Sequence, residues 1–169
     1  MRKHSLIVST MIVLAVALIL AVSAAVAAGG AEPSVGTWKL NVAQSKLTPT
    51  QPGEATPKEE TVVKRELGND FELTITGTLT NGSPIAAKAT HPQQGGVIKS
   101  QQGAPAEGTF EVITVIGPGD FYETALQNGK QVRVEHIVVS KDGKTLRATI
   151  KGTDAQGQSY EQLEVFDKQ

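Results

Sequence analysis

Apolar and polar residues alternate along most of the chain from residue 35 onwards, a pattern typical of strands with one buried face. Phe71, Leu73 and Ile75 share one face of such a run, and the threonines between and after them share the other. This part of the chain lacks the period of an amphipathic helix. The pattern predicts strands near 35–42, 60–67, 71–79, 84–90, 109–116, 120–127, 131–139, 145–152 and 160–167, with a short further strand near 97–100.

Tight turn sequences separate these strands, and they force neighbouring strands to pair antiparallel. They are Gly68-Asn69-Asp70, Asn81-Gly82, Gly117-Pro118-Gly119-Asp120, Asn128-Gly129 and Asp142-Gly143. An open meander of this length has exposed edges that invite aggregation, and closing the sheet removes them. The predicted fold is therefore all-β, an antiparallel up-and-down meander of about 8–10 strands that closes into a barrel. A β-sandwich is the alternative.

Two stretches interrupt the alternation. Residues 48–57 contain three prolines, and residues 91–108 are rich in glutamine and glycine. Both are predicted to be long loops, and such loops are either functional lids or mobile segments. We favour mobile loops, because neither stretch concentrates reactive groups.

The N-terminus has the pattern of an export signal. A basic start at Arg2 and Lys3 precedes an apolar run from Leu6 to Ala28, which closes with Ala25-Val26-Ala27. We expect residues 1–27 to be a cleaved signal peptide, 28–34 a tether and 35–169 a single barrel domain. The apolar run is also long enough to span a bilayer, so a retained membrane anchor is the alternative. Both place the rest of the chain outside the cytoplasm: a cleaved signal predicts a periplasmic or secreted protein, and a retained segment predicts a membrane-anchored one.

Composition excludes several classes of function. The chain has no cysteine, which excludes disulfides, thiol catalysis and thiolate metal sites. Its 16 basic and 17 acidic residues are interspersed, and no basic patch suggests nucleic acid as a partner. Beyond the N-terminal segment, no amphipathic stretch suggests a membrane surface. The oligomeric state is left open.

Gly36-Thr37-Trp38, at the start of the first predicted strand, resembles the Gly-x-Trp pattern of lipocalins and the wider calycin group. There the tryptophan plugs the closed end of an up-and-down barrel. Residues 35–46 resemble the opening of secreted bacterial lipocalin-like proteins of unassigned function, and the C-terminal strings at 142–146, 151–154 and 165–169 resemble theirs. The resemblance implies small-molecule binding in a cavity, and it supplies no catalytic residue and no cofactor. In lipocalins an arginine near the last strand packs over that tryptophan; here Arg147, the one arginine late in the chain, lies a strand early, and Lys168 lies nearer the expected place.

Four residues are candidate ligand contacts: Trp38, Phe71, Tyr122 and His136. Trp38 is expected to be a core plug, with ligand stacking as the alternative. His136 alternates with valines 132, 134 and 138, so it is expected to point inward, either as a satisfied core residue or as a polar contact in a cavity. Phe71 and Tyr122 belong to a sparse set of aromatic residues.

Metal binding and catalysis find little support in the sequence. His91 is expected to be exposed in a loop, and two histidines without a carboxylate cluster make a poor metal site. The serines lack a nucleophile elbow. The acidic pairs Glu59-Glu60 and Asp120 with Glu123 are interpreted as a solvated face, and Glu135 with Arg133 as a surface pair.

Three functions follow from these observations. The first is non-catalytic binding of a small apolar ligand, which requires a cavity of at least ~300 Å³ inside the barrel. The second is a structural or protein-interaction module of the cell envelope. The third, an enzyme, requires convergent polar groups with perturbed pKa values in a cavity, and His136 with an inward acid is the place to look.

Overall fold

Antiparallel β-strands build the described part of the chain, which in this computed structural model comprises residues 31–49, 54–102, 109–154 and 156–169. The strands are β1 Gly36–Leu40, β2 Pro57–Leu67, β3 Asp70–Leu79, β4 Pro84–Pro92, β5 Gly96–Val97, β6 Ser100–Gln102, β7 Thr109–Gly117, β8 Asp120–Gln127, β9 Lys130–Val139, β10 Thr145–Thr153 and β11 Ser159–Lys168. Within these ranges no helix is long and apolar enough to cross a membrane. The predicted signal peptide, 1–27, lies outside the described residues.

The strands form one 11-stranded sheet in the order β5-β7-β8-β9-β10-β11-β1-β2-β3-β4-β6. Most neighbours in the sheet are neighbours in sequence, and the first strand pairs with the last through Trp38 and Lys168. Tight turns with glycine at positive φ join the long strands, as at Gly82 (φ 88°) and Gly129 (φ 77°). The predicted all-β, up-and-down barrel is confirmed.

The segment 96–102 closes the barrel between its two sheet edges. Gly96 and Val97 pair with β7, and the Ile98 amide donates to Glu111 O at 3.0 Å. The Lys99 amide instead donates to Thr90 O at 2.7 Å, and residues 100–102 pair with β4. The long loop predicted over 91–108 is therefore interrupted by the short further strand predicted near 97–100, which the structure divides into β5 and β6. The backbone groups of this segment complete both edges of the sheet. Residues 103–108 lie outside the described residues.

Two apolar clusters fill one end of the barrel. Trp38, Leu40 and Phe166 form one, and Ile113, Phe121, Ile137 and Ala148 form the other. Trp38 is 1% exposed, so its predicted place in the core is confirmed.

Residues 32–34, predicted to be part of a tether, instead cover this end of the barrel. The Glu32 carboxylate accepts a hydrogen bond from the Gly119 amide at 2.9 Å, and Ser34 is buried. The backbone carbonyl of Ser34 accepts the Trp38 indole N–H at 2.8 Å. These contacts supply partners to polar groups that would otherwise be buried without one. The barrel unit therefore begins at Glu32.

Candidate functional site

A cavity of about 320 Å³ lies inside the barrel, above the volume that the ligand-binding hypothesis requires. Thirteen of its lining residues are apolar: Trp38, Val62, Leu73, Ile75, Ile85, Ala87, Ile113, Phe121, Ile137, Leu146, Ala148, Ile150 and Phe166. The others are Ser34, Glu60, Lys64, Glu123, Arg133, Glu135 and Glu164. The cavity thus combines an apolar wall with an unusual number of charged side chains.

Four glutamates from four different strands converge on this cavity. Glu60 comes from β2, Glu123 from β8, Glu135 from β9 and Glu164 from β11. Each is in phase with an inward apolar residue two positions away, as Glu135 is with Ile137. Strand register therefore directs these carboxyl groups inward, together with the core.

Arg133 is the basic side chain at this end of the cavity. Its guanidinium forms ion pairs with Glu111 at 2.8 Å and with Glu123 at 2.5 Å. Burial lowers the pKa of Arg133, but the charges of Glu135, Glu123 and Glu111 outweigh burial and hold that pKa above its ordinary value. Its Nε is buried without a hydrogen-bond partner among the described residues, so the cluster is incompletely satisfied.

The cavity glutamates hold their protons more tightly than exposed glutamates. Burial raises the pKa of Glu60 to about 7, and repulsion from Glu135 adds to the effect. Burial also raises the pKa of Glu164 to about 7, with repulsion from Glu60 as the second cause. The pKa values of Glu123 and Glu135 are raised by burial as well, although Arg133 opposes the shift. Near neutral pH this group of carboxyls carries a mixture of protons and negative charge.

Lys64 lies on β2 towards the Trp38 end of the cavity. Its ammonium donates to Ser34 Oγ at 2.8 Å and lies over the rings of Phe71 and Phe121, 4.3 and 4.5 Å from the two centroids. Burial lowers the pKa of Lys64 to about 8, and the charge of Glu32 opposes this. The aromatic faces and the hydroxyl replace part of the hydration that this cation loses.

Trp38 lines the cavity at its plugged end, as expected for the tryptophan of the Gly-x-Trp pattern. The ammonium of Lys168 lies 4.9 Å from its ring centroid, while Arg147 is on an exposed position of β10. Gly36, at φ 140°, makes this contact possible, since a Cβ there would lie 2.9 Å from the Lys168 side chain. Lys168 therefore lies over the tryptophan where the lipocalin pattern has an arginine.

The inward orientation predicted for His136 is wrong. Glu135 and Ile137 line the cavity, so His136 lies on the opposite face of β9. There its ring stacks on Tyr122 at 4.3 Å between centroids, and its Nε2 lies 2.8 Å from the Asp120 carboxylate. Tyr122, a second predicted contact, is thus also placed outside the cavity, and neither residue faces the space where a ligand fits.

Phe71 is buried beside the main cavity, and it lines a space of only about 20 Å³. Its ring packs against His91 at 5.5 Å between centroids. His91 is 3% exposed on β4, so its predicted position in an exposed loop is wrong. Burial, followed by the nearby charge of Lys64, lowers the pKa of His91, which favours the neutral ring. Of the four predicted contacts, the structure brings only Trp38 into the wall of the main cavity.

The interpretation of the acidic pairs as solvated surface is wrong for Glu60 and Glu123, and so is the surface assignment of Glu135 with Arg133. These charges are tolerated inside because Arg133 pairs with two carboxylates and burial keeps protons on others. One signal could have found Glu60 and Glu123: each shares its strand face with an apolar residue two positions away, Val62 and Phe121. Among the described residues, no group of carboxylates and histidines has an arrangement that could hold a metal ion.

Comparison with known proteins finds no matching family model and no matching curated protein. Among solved structures, the chain is similar to zebrafish ileal bile acid-binding protein complexed with cholic acid, with 14% identity and a TM-score of 0.47 over 81% of this chain and 99% of that one. It is also similar to a redesigned β-barrel, mFAP1, bound to DFHBI, with 12% identity and a TM-score of 0.39 over 81% of this chain and 95% of that one. Similarities at this level assign no function to this chain.

Proposed function

We propose that this protein binds a small, largely apolar molecule inside its barrel and does not transform it. The observation that carries the proposal is the cavity of about 320 Å³, whose wall is mostly aliphatic and aromatic. Ligand sites of proteins have volumes from about 300 Å³ upwards and combine an apolar wall with a few polar groups. The scaffold supports such a role, because side chains on paired strands hold a preformed shape.

The bound state gains from apolar surface that the empty barrel leaves open to water. Ile75 and Ile85 line the cavity and are only partly buried, whereas the residues of the Trp38 cluster are buried. A ligand that covers them removes their surface from water at roughly 25 cal/mol per Å². Trp38 and the covering residues 32–34 close one end, so the ligand has a defined limit of length.

Two adjacent alanines on β4 offer a matched test. Ala87 lines the cavity, whereas Ala86 is exposed on the other face of the strand. We expect Ala87→Phe to fill the cavity and Ala86→Phe to leave it open. Binding is measured as the fluorescence gain of the uncharged dye N-phenyl-1-naphthylamine, with circular dichroism to confirm that both variants fold.

The expected result is saturable dye binding by the wild type and by Ala86→Phe, with at least about a tenfold loss for Ala87→Phe. Equal binding by both variants places the dye on the outer surface and contradicts the proposal. A wild-type protein that does not bind the dye also contradicts it. Independently, native mass spectrometry of protein purified from its own source should show a co-purifying small molecule.

A second candidate, acid–base catalysis in the same cavity, is favoured by one observation. The pKa values of Glu60 and Glu164 lie at about 7, where a carboxyl group can both donate and accept a proton. Mass spectrometry of the ligand after incubation separates the two functions: a binding protein returns it unchanged, and an enzyme alters its mass or isomeric form.

We further propose that binding takes place outside the cytoplasm. The support is the sequence pattern from Arg2 to Ala28, a basic start followed by an apolar run and small residues. This proposal rests on the leader pattern alone. N-terminal sequencing of the purified protein tests whether the leader is removed.

A further inference from the structure

Assuming the proposed binding function, we propose that the ligand is an organic cation: an apolar body carrying a protonated amine, with the amine held by Glu60, Glu135 and Glu164. The inference rests on which cavity charges already have partners and which do not.

The ion pairs of Arg133 are made with other carboxylates. Its guanidinium is directed at Glu111 and Glu123, at 2.8 and 2.5 Å. Within the part of the chain that the structure describes, Glu60, Glu135 and Glu164 have neither a hydrogen bond nor an ion pair to a side chain. Acceptor groups that face a cavity without donors are the groups that a ligand can satisfy.

Glu135 is the clearest case. Its carboxyl group is enclosed by the barrel, and the surface that it keeps faces the cavity. Glu164 and Glu60 lie close enough to act on one another and on Glu135 electrostatically. Arg133 attracts Glu135 and Glu164 electrostatically, but its ion pairs go to Glu111 and Glu123. Three carboxyl groups without an ion pair of their own therefore converge on one region of the cavity, and a positive charge placed there reduces their repulsion.

Lys64 does not supply that charge. It lies four residues from Glu60 on the same strand, about 13 Å away at the rise of a β-strand. Its ammonium is already bound to Ser34 and covered by two aromatic rings. The cavity therefore has a cationic end, already satisfied, and an anionic end where Glu60, Glu135 and Glu164 have no ion pair.

An ammonium group fits the anionic end because it carries three donors and a compact charge, and each carboxylate offers acceptor oxygens. Ile85 and Ile150 line the cavity with these glutamates and suit an apolar body attached to the amine. A ligand carboxylate would be drawn to Arg133 but would then stand among four glutamates, where repulsion opposes it. A bare metal ion is not favoured, since no group with metal-binding geometry occurs among the described residues.

The test compares three probes with the same apolar chain: octylamine, 1-octanol and octanoate, each displacing N-phenyl-1-naphthylamine at pH 7.5. We expect octylamine to bind at least about tenfold more tightly than 1-octanol, because charge-assisted hydrogen bonds are stronger than neutral ones. Octanoate should bind more weakly than 1-octanol. Octanoate binding as tightly as octylamine, or more tightly, overturns the inference.

The variants assign the preference to the glutamates. The triple change Glu60→Gln, Glu135→Gln and Glu164→Gln should bring octylamine to within about twofold of 1-octanol while 1-octanol itself still binds. Glu161→Gln is the matched control, on an exposed position of the same strand as Glu164. If the triple variant does not fold, each single variant should still reduce the ratio of octylamine to 1-octanol affinity, and unchanged ratios in all three overturn the inference.

The two proposals fail in different ways. If neither 1-octanol nor the dye binds the wild type, the binding function itself is wrong. If 1-octanol and the dye bind but octylamine gains no advantage, the cavity binds apolar molecules and only the preference for a cation is refuted. An octylamine preference that survives in the triple variant also refutes the assignment to these carboxyls.

Discussion

Replacing Glu164 by glutamine should stabilise the barrel at alkaline pH and have little effect at pH 5. Glu164 faces Glu60, and burial together with that neighbour raises its pKa from 4.5 to about 7. A raised pKa means that the folded state holds the proton more tightly than the unfolded state. The stabilisation is therefore complete below pH 4.5 and is lost as the pH rises through 7.

The magnitude follows from the size of this shift. One unit of pKa corresponds to about 1.4 kcal/mol, so the full shift of Glu164 corresponds to roughly 3 kcal/mol between the acidic and alkaline limits. The carboxyl faces a cavity and not close-packed side chains, so solvent screening reduces this value. We expect Glu164→Gln to raise the free energy of unfolding by about 1–2 kcal/mol at pH 8, and by much less at pH 5.

Urea denaturation at pH 5 and at pH 8 measures both values. The groups that act on Glu164 are Glu60 and Arg133, with Glu135 responding to it in turn, and none of them is altered in this variant. Glu161→Gln serves as the control, since Glu161 is 65% exposed in a 3.5 Å pair with Lys151 and should change stability by less than about 0.5 kcal/mol. The reasoning is refuted if Glu164→Gln destabilises the protein at pH 8, or if its effect is the same at both pH values.

Three other predictions use the same assays or simple ones. Arg133→Met removes the partner of Glu111 and Glu123 and should lower the free energy of unfolding by about 2–3 kcal/mol at pH 8. The expected loss is smaller than for a fully buried pair because the Arg133 side chain is 34% exposed. An unchanged urea midpoint contradicts this prediction. Gly77→Ala should lower the free energy of unfolding by about 1–3 kcal/mol, because a Cβ there would lie 2.1 Å from a backbone oxygen of β2. Gly117→Ala is the control, since a Cβ at Gly117 would have no atom within 4 Å. The mature protein should begin at Ala28, and Edman sequencing that finds residues 1–27 intact supports the anchor instead.

Strand positions were predictable because alternation and turn chemistry act locally. Asn81-Gly82 and Asn128-Gly129 join paired strands in the structure, and Asn128 itself has a positive φ of 52°. The pairing of the first strand with the last, through Trp38 and Lys168, could also be predicted, because a meander with open edges is unfavourable. The resemblance at Gly36-Thr37-Trp38 added the plugged end.

The face of β9 was not predictable from its own residues. Valines on one face and Arg133 with Glu135 on the other favour burial of the valines, yet the structure buries the charged face. The neighbouring strand decides: pairing with β8 sets Ile137 opposite Phe121, and both belong to one apolar cluster. A bulge on β9, where Val132 is the extra residue opposite Ala125 and Leu126, changes the register further along, which the alternation pattern does not reveal.

The short strands β5 and β6 could be predicted only as one further strand near 97–100, and their pairing with two different edges of the sheet could not be predicted. Their glutamines and glycines give no hydrophobic alternation, because what they contribute is backbone hydrogen bonds to two open edges. Such a role depends on where the edges of the sheet lie, and only the assembled barrel defines these. The predicted loop and the observed seam share the same composition, so composition could not separate them.

The glutamates of the cavity make the barrel less stable than an apolar interior would, and this bears on function. Replacing buried ion pairs by well-packed apolar residues is often neutral or stabilising, and an open cavity also forgoes packing energy. Both disadvantages coincide here: the carboxyls that raise each other's pKa face the same cavity of about 320 Å³. A sequence specifies its fold when its local preferences, core packing and polar pairing agree, and natural proteins break this agreement mainly at functional sites. A purely structural barrel has no use for either feature, whereas a binding site for a cationic, apolar molecule needs both together.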